Sequence, residues 1–278
     1  MSDSKLYSLA GDGNPVSLGF QPASAIAPSV WMDSSVVPGC MFNQVSWIKS
    51  DCTRPGMIKH ESDALLMFLG GNPDDKENLN AEIELWIEND KLVLPHTCFV
   101  FVPAGVAYGN MTVRNLTAPV FYYSLHLNAS DYKEIPAEAT VPAGKYANHF
   151  VEKYAPVDGR IPEAPPGFVD FLLWIDGKKL AGAPYMESVW FKSDNDTGPA
   201  GHTHDFDEII GFIGSDPEHP EELGAEIQLV LGERIVTITK SALFYVPRGT
   251  SHSPIIVPRL DRPLYHFSGG NGGDYVRK

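Results

Sequence analysis

Along almost its whole length the chain switches between short apolar or β-branched runs and clusters of Gly, Pro, Asn and Asp. From Val30 to residue 127 the apolar runs have the length of strands rather than helices. Residues 63–69 and 98–102 read as buried strands, and residues 81–87 (AEIELWI) alternate strictly, as a half-buried strand does. The texture resumes at Gly167. It predicts an all-β protein of antiparallel strands joined by turns, arranged as two tandem sandwiches or barrels. Residues 1–28 lack periodicity and read as an N-terminal extension draped over the body. Residues 128–166, rich in Pro and charge, read as a linker, with a short helix expected over Lys145 to Tyr154. The glycine-rich tail from Ser268 is expected to be mobile; covering a pocket is the alternative to simple fraying.

Two tandem units follow from an internal repeat. Pro103-Ala-Gly105-Val-Ala-Tyr108 lies 144 residues before Pro247-Arg-Gly249-Thr-Ser-His252. The same offset carries Leu79–Leu85 onto Leu223–Leu229, Phe68-Leu-Gly70 onto Phe212-Ile-Gly214, and Pro119 with Ser124 onto Pro263 with Ser268. Upstream the offset is 143: WIKSD at Trp47 pairs with WFKSD at Trp190, and Trp31 pairs with Trp174. One residue has therefore been gained just before the segment GHTHDFDE. The predicted boundaries are 29–127 for the first copy and 167–278 for the second. Tryptophans and Pro-bearing acidic loops (70–80 and 215–224) recur in both copies, so packing explains them better than substrate contact does.

That gained residue sits beside the strongest chemical signal in the chain. His202, His204 and Glu208 follow H-x-H-x3-E spacing, and His252 ends the turn VPRGTSH. If His202 and His204 lie on a strand, both imidazoles face one side. A short turn brings in Glu208, and the Pro-Gly corner at Pro247 and Gly249 returns His252 beside them. The alternative is a set of surface histidines in a polar loop. Against it, Glu208 opens the apolar run Glu208–Ile213, where an unpaired carboxylate is costly. Three imidazoles and one carboxylate suit a single divalent transition-metal ion (Fe, Mn, Ni, Cu or Zn) and leave positions for a substrate.

The arrangement resembles the cupin family, whose first motif reads G-x5-H-x-H-x3,4-E-x6-G and whose second reads G-x5-P-x-G-x2-H-x3-N. The likeness holds at His202, His204, Glu208 and Gly214, and at Pro247, Gly249 and His252. It fails at Ala242 and Ile256, which are turn and packing positions. With the repeat, the resemblance implies a bicupin: two double-stranded β-helix (jelly-roll) domains, with the intact metal site in the second. In the first copy His60 matches His204, but Ile58, Ala64 and Tyr108 stand where the other ligands would be. One imidazole cannot hold a first-row ion against water, so the first copy is expected to be metal-free. His60 and Tyr108 then read as core residues, a separate site of Asp63, His60 and Tyr108 being the rival.

Composition narrows the partners. A net charge of −14 disfavours nucleic acid and anionic membranes. The opening MSDSKLYSLAGDG lacks a signal-peptide core and no apolar stretch spans a membrane. Cys40, Cys52 and Cys98 have no metal spacing, so a cytoplasmic protein with free thiols is expected. Exposed sandwich edges predict a homo-oligomer.

Strand parity gives a candidate pocket. If Glu208 points inward, so do Ile210 and Phe212; the same rule puts Pro254 and Ile256 inward after His252, and His266 with Leu264 on the last strand. His266 is then a candidate second-sphere acid or base. No arginine is aimed at the metal, and Arg248 lies in the turn, so a dianion such as oxalate fits less well than a neutral or singly charged enolisable or phenolic compound. Three functions compete: a dioxygenase that cleaves a C–C bond, favoured slightly; a redox-neutral isomerase, decarboxylase or C–C hydrolase; and a binding protein without turnover. The intact ligand set argues against the third.

Overall fold

The computed structural model describes residues 5–159 and 164–276, and in these the apolar runs are antiparallel strands. Residues 1–4 of the expected extension, 160–163 of the expected linker and 277–278 of the tail lie outside the described residues. In chain order the strands are β1 (Tyr7–Leu9), β2 (Ile26–Met32), β3 (Phe42–Ile48), β4 (Cys52–Lys59), β5 (Ala64–Gly70), β6 (Asn78–Ile87), β7 (Asp90–His96), β8 (Cys98–Val102), β9 (Tyr108–Arg114) and β10 (Val120–His126). They continue as β11 (Ile135–Ala137), β12 (Phe150–Val151), β13 (Val169–Ile175), β14 (Tyr185–Phe191), β15 (Glu208–Gly214), β16 (Glu222–Leu231), β17 (Arg234–Lys240), β18 (Ala242–Val246), β19 (His252–Leu260) and β20 (Leu264–Gly270). The only helical piece among the described residues is a single 3-10 turn, Ala23–Ala25. The all-β, jelly-roll class read from the sequence holds.

Each copy is a sandwich. In the first, a six-stranded sheet (β12-β8-β5-β10-β3-β2) covers a five-stranded one (β11-β4-β9-β6-β7). In the second, six strands (β1-β18-β15-β20-β14-β13) cover three (β17-β16-β19). The second copy has the shorter inner sheet because residues 195–203, the counterpart of β4, form only two isolated bridges, Asn195 to Val257 and His202 to His252.

Alternation assigns the two faces of each large sheet. On β15, Ile210 and Phe212 enter the core of the second sandwich, whereas Ile209 and Ile213 enter a different cluster shared by both copies. The same division holds on β20, with Leu264 inside the sandwich and Tyr265 and Phe267 outside it. The two six-stranded sheets therefore pack back to back. At their centre Trp190 and Tyr265 rings lie 3.8 Å apart, with Phe121 4.8 Å from Tyr265 and Trp47 5.8 Å from Phe121. Trp47 and Trp190 are fully buried, and truncating either costs about 3–5 kcal/mol. The repeated acidic loops fasten the same interface. Lys49 pairs with Glu218 at 2.6 Å and Lys76 with Asp170 at 2.7 Å, each across the two copies.

Three expectations need correction. Residues 1–28 are not merely draped: β1 joins the large sheet of the second copy, pairing Tyr7 with Phe244. Reciprocally β12, from the stretch read as linker, joins the large sheet of the first copy, pairing Phe150 with Val100. Pairing removes an exposed sheet edge in both cases. The helix expected over Lys145 to Tyr154 is absent. The Asp90 carboxylate accepts from the Gly144 and Tyr146 amides at 2.6 and 2.7 Å, and β12 takes up the following backbone. Third, the tail from Ser268 is tied down, with Ser268 to Gly270 inside β20 and the segment beyond it hydrogen-bonded to the body. The three cysteines are free, as read from the sequence, and all three are buried.

Candidate metal centre

His202 and His204 do not sit on a regular strand, contrary to the expected geometry. Gly198, Pro199 and Gly201 break the run before them, and a Cβ at Gly198 would lie 2.7 Å from the Ile255 carbonyl. One bridge does the strand's job. His202 and His252 exchange both backbone hydrogen bonds, each at 3.1 Å, so their side chains share a face with ring centroids 4.4 Å apart. The Pro247 turn closes on the same spot: Thr250 N–H donates to the Pro247 carbonyl at 3.0 Å and Gly249 N–H to the His204 carbonyl at 2.8 Å. Gly249 holds φ at +76°, a conformation that a side chain would strain.

The ligand atoms of His202, His204 and His252 all lie within 4.8 Å of one another. Glu208 opens β15 beneath them, its Oε2 2.9 Å from His252 Nε2 and 3.7 Å from His204 Nε2. His204, Glu208 and His252 are buried and His202 is half-buried, which makes the His202 side the approach from solvent.

Each imidazole is oriented from behind. His202 Nδ1 lies 3.0 Å from the Ala200 carbonyl, His204 Nδ1 2.6 Å from that of Val276, and His252 Nδ1 3.2 Å from that of Thr250. A carbonyl only accepts, so all three Nδ1 atoms carry the proton and the three Nε2 atoms turn their lone pairs toward one another. His204 Nε2 and Glu208 Oε2 have no hydrogen-bond partner although buried. The 2.9 Å approach of His252 Nε2 to Glu208 thus sets two acceptors face to face, which a cation between them relieves. This donor set fits a divalent transition metal.

The other residues singled out from sequence fall into two groups. Ile210, Phe212 and Leu264 do face inward, but as members of the packed core; Ile210 lies two positions from Glu208, whereas Leu264 pairs with Gly214 at the other end of β15. On β19 the parity is the reverse of that expected. Ile255 and Val257 join the core, while Pro254 and Ile256 face away from it. The cause is a bulge: the four residues from His252 to Ile255 oppose the three from Leu231 to Leu229, and the extra residue flips the alternation. His266 is stacked between Phe191 and Phe212, at 4.7 and 4.8 Å, with Nδ1 3.1 Å from the Gly211 carbonyl. Burial holds its pKa down to about 4, so the ring is neutral at pH 7. Arg248 is exposed, and among the described residues of the second copy no arginine is buried.

The first copy fills the corresponding place with its own side chains. His60 packs against His126 at 4.1 Å, Tyr132 at 5.2 Å and Tyr108 at 5.8 Å. Arg54 pairs with Glu134 at 2.7 Å, and Tyr132 also donates to Glu134. Of the rival set of Asp63, His60 and Tyr108, the Asp63 carboxylate accepts from the Ala104 amide at 2.7 Å and caps the turn.

Sequence reasoning missed the residues that support His204. The Phe206 ring stacks on it at 4.7 Å and Tyr275 lies 5.4 Å away. Only the aromatic residue two positions after His204 was a local signal; the tail carried none.

No family model and no curated protein matches the sequence. Its fold is nevertheless similar to solved structures. A mutant of Bacillus subtilis oxalate decarboxylase matches with a TM-score of 0.63 and 11% identity, over 100% of this chain and 80% of that one. The Lactobacillus farciminis oxalate decarboxylase–formate complex matches with a TM-score of 0.62 and 11% identity, over 100% and 89%. The likeness is one of fold, the jelly-roll β-sandwich. Among the described residues no helix is long and apolar enough to cross a membrane.

Proposed function

We propose that the second copy is a metal-dependent cupin enzyme. In this reading His202, His204, His252 and Glu208 hold one divalent ion, from among Fe, Mn, Ni, Cu and Zn, and the enzyme cleaves a C–C bond in a small enolisable or phenolic compound. The observation that carries this reading is the convergence of three carbonyl-oriented imidazoles on a buried carboxylate. When bound, such an ion supplies Lewis acidity and, if redox-active, electron transfer.

The protein's own part is positioning and exclusion. Glu208 brings one negative charge to a group of neutral imidazoles and so sets the charge of the loaded site. The packed core that begins at Ile210, two positions along β15 from Glu208, excludes water from beneath and restricts the substrate to a small molecule entering past His202. The lack of a buried arginine in the described second copy favours a neutral or singly charged substrate over a dianion.

The leading form is an oxygen-consuming cleavage. His266, held neutral, is poorly suited to the proton delivery that a decarboxylation requires. Decarboxylation is the second reading, favoured by the likeness in fold to oxalate decarboxylases. A screen of enolisable diketones, polyphenols and small keto acids separates the two, run in air and anaerobically on protein loaded with Fe(II), Mn(II) or Zn(II). Oxygen uptake matched to product supports the dioxygenase; full anaerobic turnover with release of carbon dioxide supports the decarboxylase. Metal-loaded protein that turns over none of them supports a binding protein instead. A homo-oligomer remains the proposed assembly, because β7 and β17 are free sheet edges carrying the exposed Val93 and Ile235.

A further inference from the structure

Beyond β20 the chain does not leave the body; it crosses back over the metal-ligating loop. Asn271 exchanges bonds with Asp207: Asp207 N–H donates to the Asn271 side-chain oxygen at 3.0 Å, and Asn271 N–H to the Asp207 carbonyl at 3.3 Å. Tyr185 N–H donates to the Gly272 carbonyl at 2.7 Å and Gly177 N–H to that of Gly273 at 2.6 Å. Gly272 lies flush on Phe206, where an added Cβ would meet the ring at 2.4 Å. Tyr275 then drops into an aromatic cluster, 4.7 Å from Tyr185 and 6.1 Å from Trp174. That anchor delivers the next residue, Val276, whose carbonyl takes the Nδ1 proton of His204 at 2.6 Å.

We propose that residues 271–276 form a positioning strap for the metal site. Tyr275 anchors the strap and the Val276 carbonyl fixes the tautomer and aim of His204. His202 and His252 are oriented by carbonyls only two residues away from them, which their own loops supply. His204 depends instead on a carbonyl 72 residues away along the chain. The duplication carries the same device. In the first copy the segment after β10 also returns to its histidine: the Tyr132 ring lies 5.2 Å from His60, the counterpart of His204, as the Tyr275 ring lies 5.4 Å from His204. The strap is thus a feature of the repeat, which the second copy uses on a ligand. Aligning an imidazole from behind raises its basicity and removes the entropy of ordering it at the ion.

This inference rests on the metal reading, and its test separates the two. Three variants are compared with the full chain: a stop after Gly273, Tyr275→Ala, and Val276→Ala, which keeps the carbonyl. Each is checked for native circular dichroism and titrated with Co(II). The expected result is a Co(II) Kd raised about 10–100-fold by the stop and by Tyr275→Ala, and unchanged by Val276→Ala. In the metal-free state, histidine 15N spectra should show His204 as the Nδ1–H tautomer in the full chain and lose that preference in the two damaging variants. Should the stop disturb the fold, Tyr275→Ala carries the same test on a full-length chain. Unchanged Kd and unchanged His204 tautomer overturn the strap. Full-length protein that takes up no Co(II) overturns the metal reading instead, and the tautomer measurement still decides the strap.

Discussion

His252 Nε2 lies 2.9 Å from Glu208 Oε2, with both side chains shut off from solvent. The Nδ1 of that histidine is committed to the Thr250 carbonyl, so the pair is two acceptors in contact unless a cation joins them. Purified protein should therefore contain about one transition-metal ion per chain. Elemental analysis is expected to show the ion lost in His202→Ala and His252→Ala. Two ions per chain, or unchanged content in both variants, would contradict the assignment. Glu208→Gln removes the only negative ligand and should lower turnover severely while the fold persists.

The back-to-back packing makes the two sandwiches one body. Tyr265 reaches across the copies to donate to the Gly70 carbonyl at 2.5 Å. Tyr265→Phe should cost about 1 kcal/mol, seen as a shift in the denaturant midpoint with no new transition. Trp190→Ala, which opens the aromatic centre, should cost about 3–5 kcal/mol. Two separated unfolding transitions in the native protein, or scattering from two independently moving lobes, would refute the single body.

Acid should weaken the metal-free protein before its carboxylates titrate. Burial holds His60 and His266 down to about 4, against about 6.5 in an unfolded chain. Between those values the unfolded chain binds more protons, so stability is complete above about pH 6.5 and falls as the pH drops toward 4. Each group adds up to about 1.4 kcal/mol per pH unit. Denaturant melts from pH 7 to 5 measure the slope, and His266→Phe should flatten it by about one proton. A level profile over that window would show that neither ring is kept neutral by the fold.

Tyr108 marks the difference between the copies. It occupies the position of His252, buried beside His60, with Arg54 5.9 Å from its ring centre. Tyr108→Phe keeps the ring and should leave metal content and turnover intact, with a stability loss of about 1 kcal/mol or less. Activity lost with metal and fold preserved would reveal a working site in the first copy.

Much of this was legible in the residues. Strand β8 is the run Cys98–Val102 read from the sequence, and the alternation of Glu208, Ile210 and Phe212 survives in the fold because one pleat fixes two faces. The ligand types and their spacing also stand in the sequence, since H-x-H and P-x-G-x-x-H need only a bridge and a turn to meet. Parity failed on β19, where the bulge after His252 inserts a residue that no local pattern announces.

The sequence by itself determined two copies, their all-β class and which copy carries the donor atoms. Tertiary structure decided the rest: the exchange of β1 and β12 between the sheets, the role of Trp47 and Trp190 at the shared centre, and the carbonyl of Val276 behind His204. Local periodicity records whether a residue is buried and on which face, because those depend on its near neighbours in the chain. It carries no record of which distant edge a strand will join or which carbonyl will meet an imidazole, because closing those loops is a choice among many partners of similar local fitness.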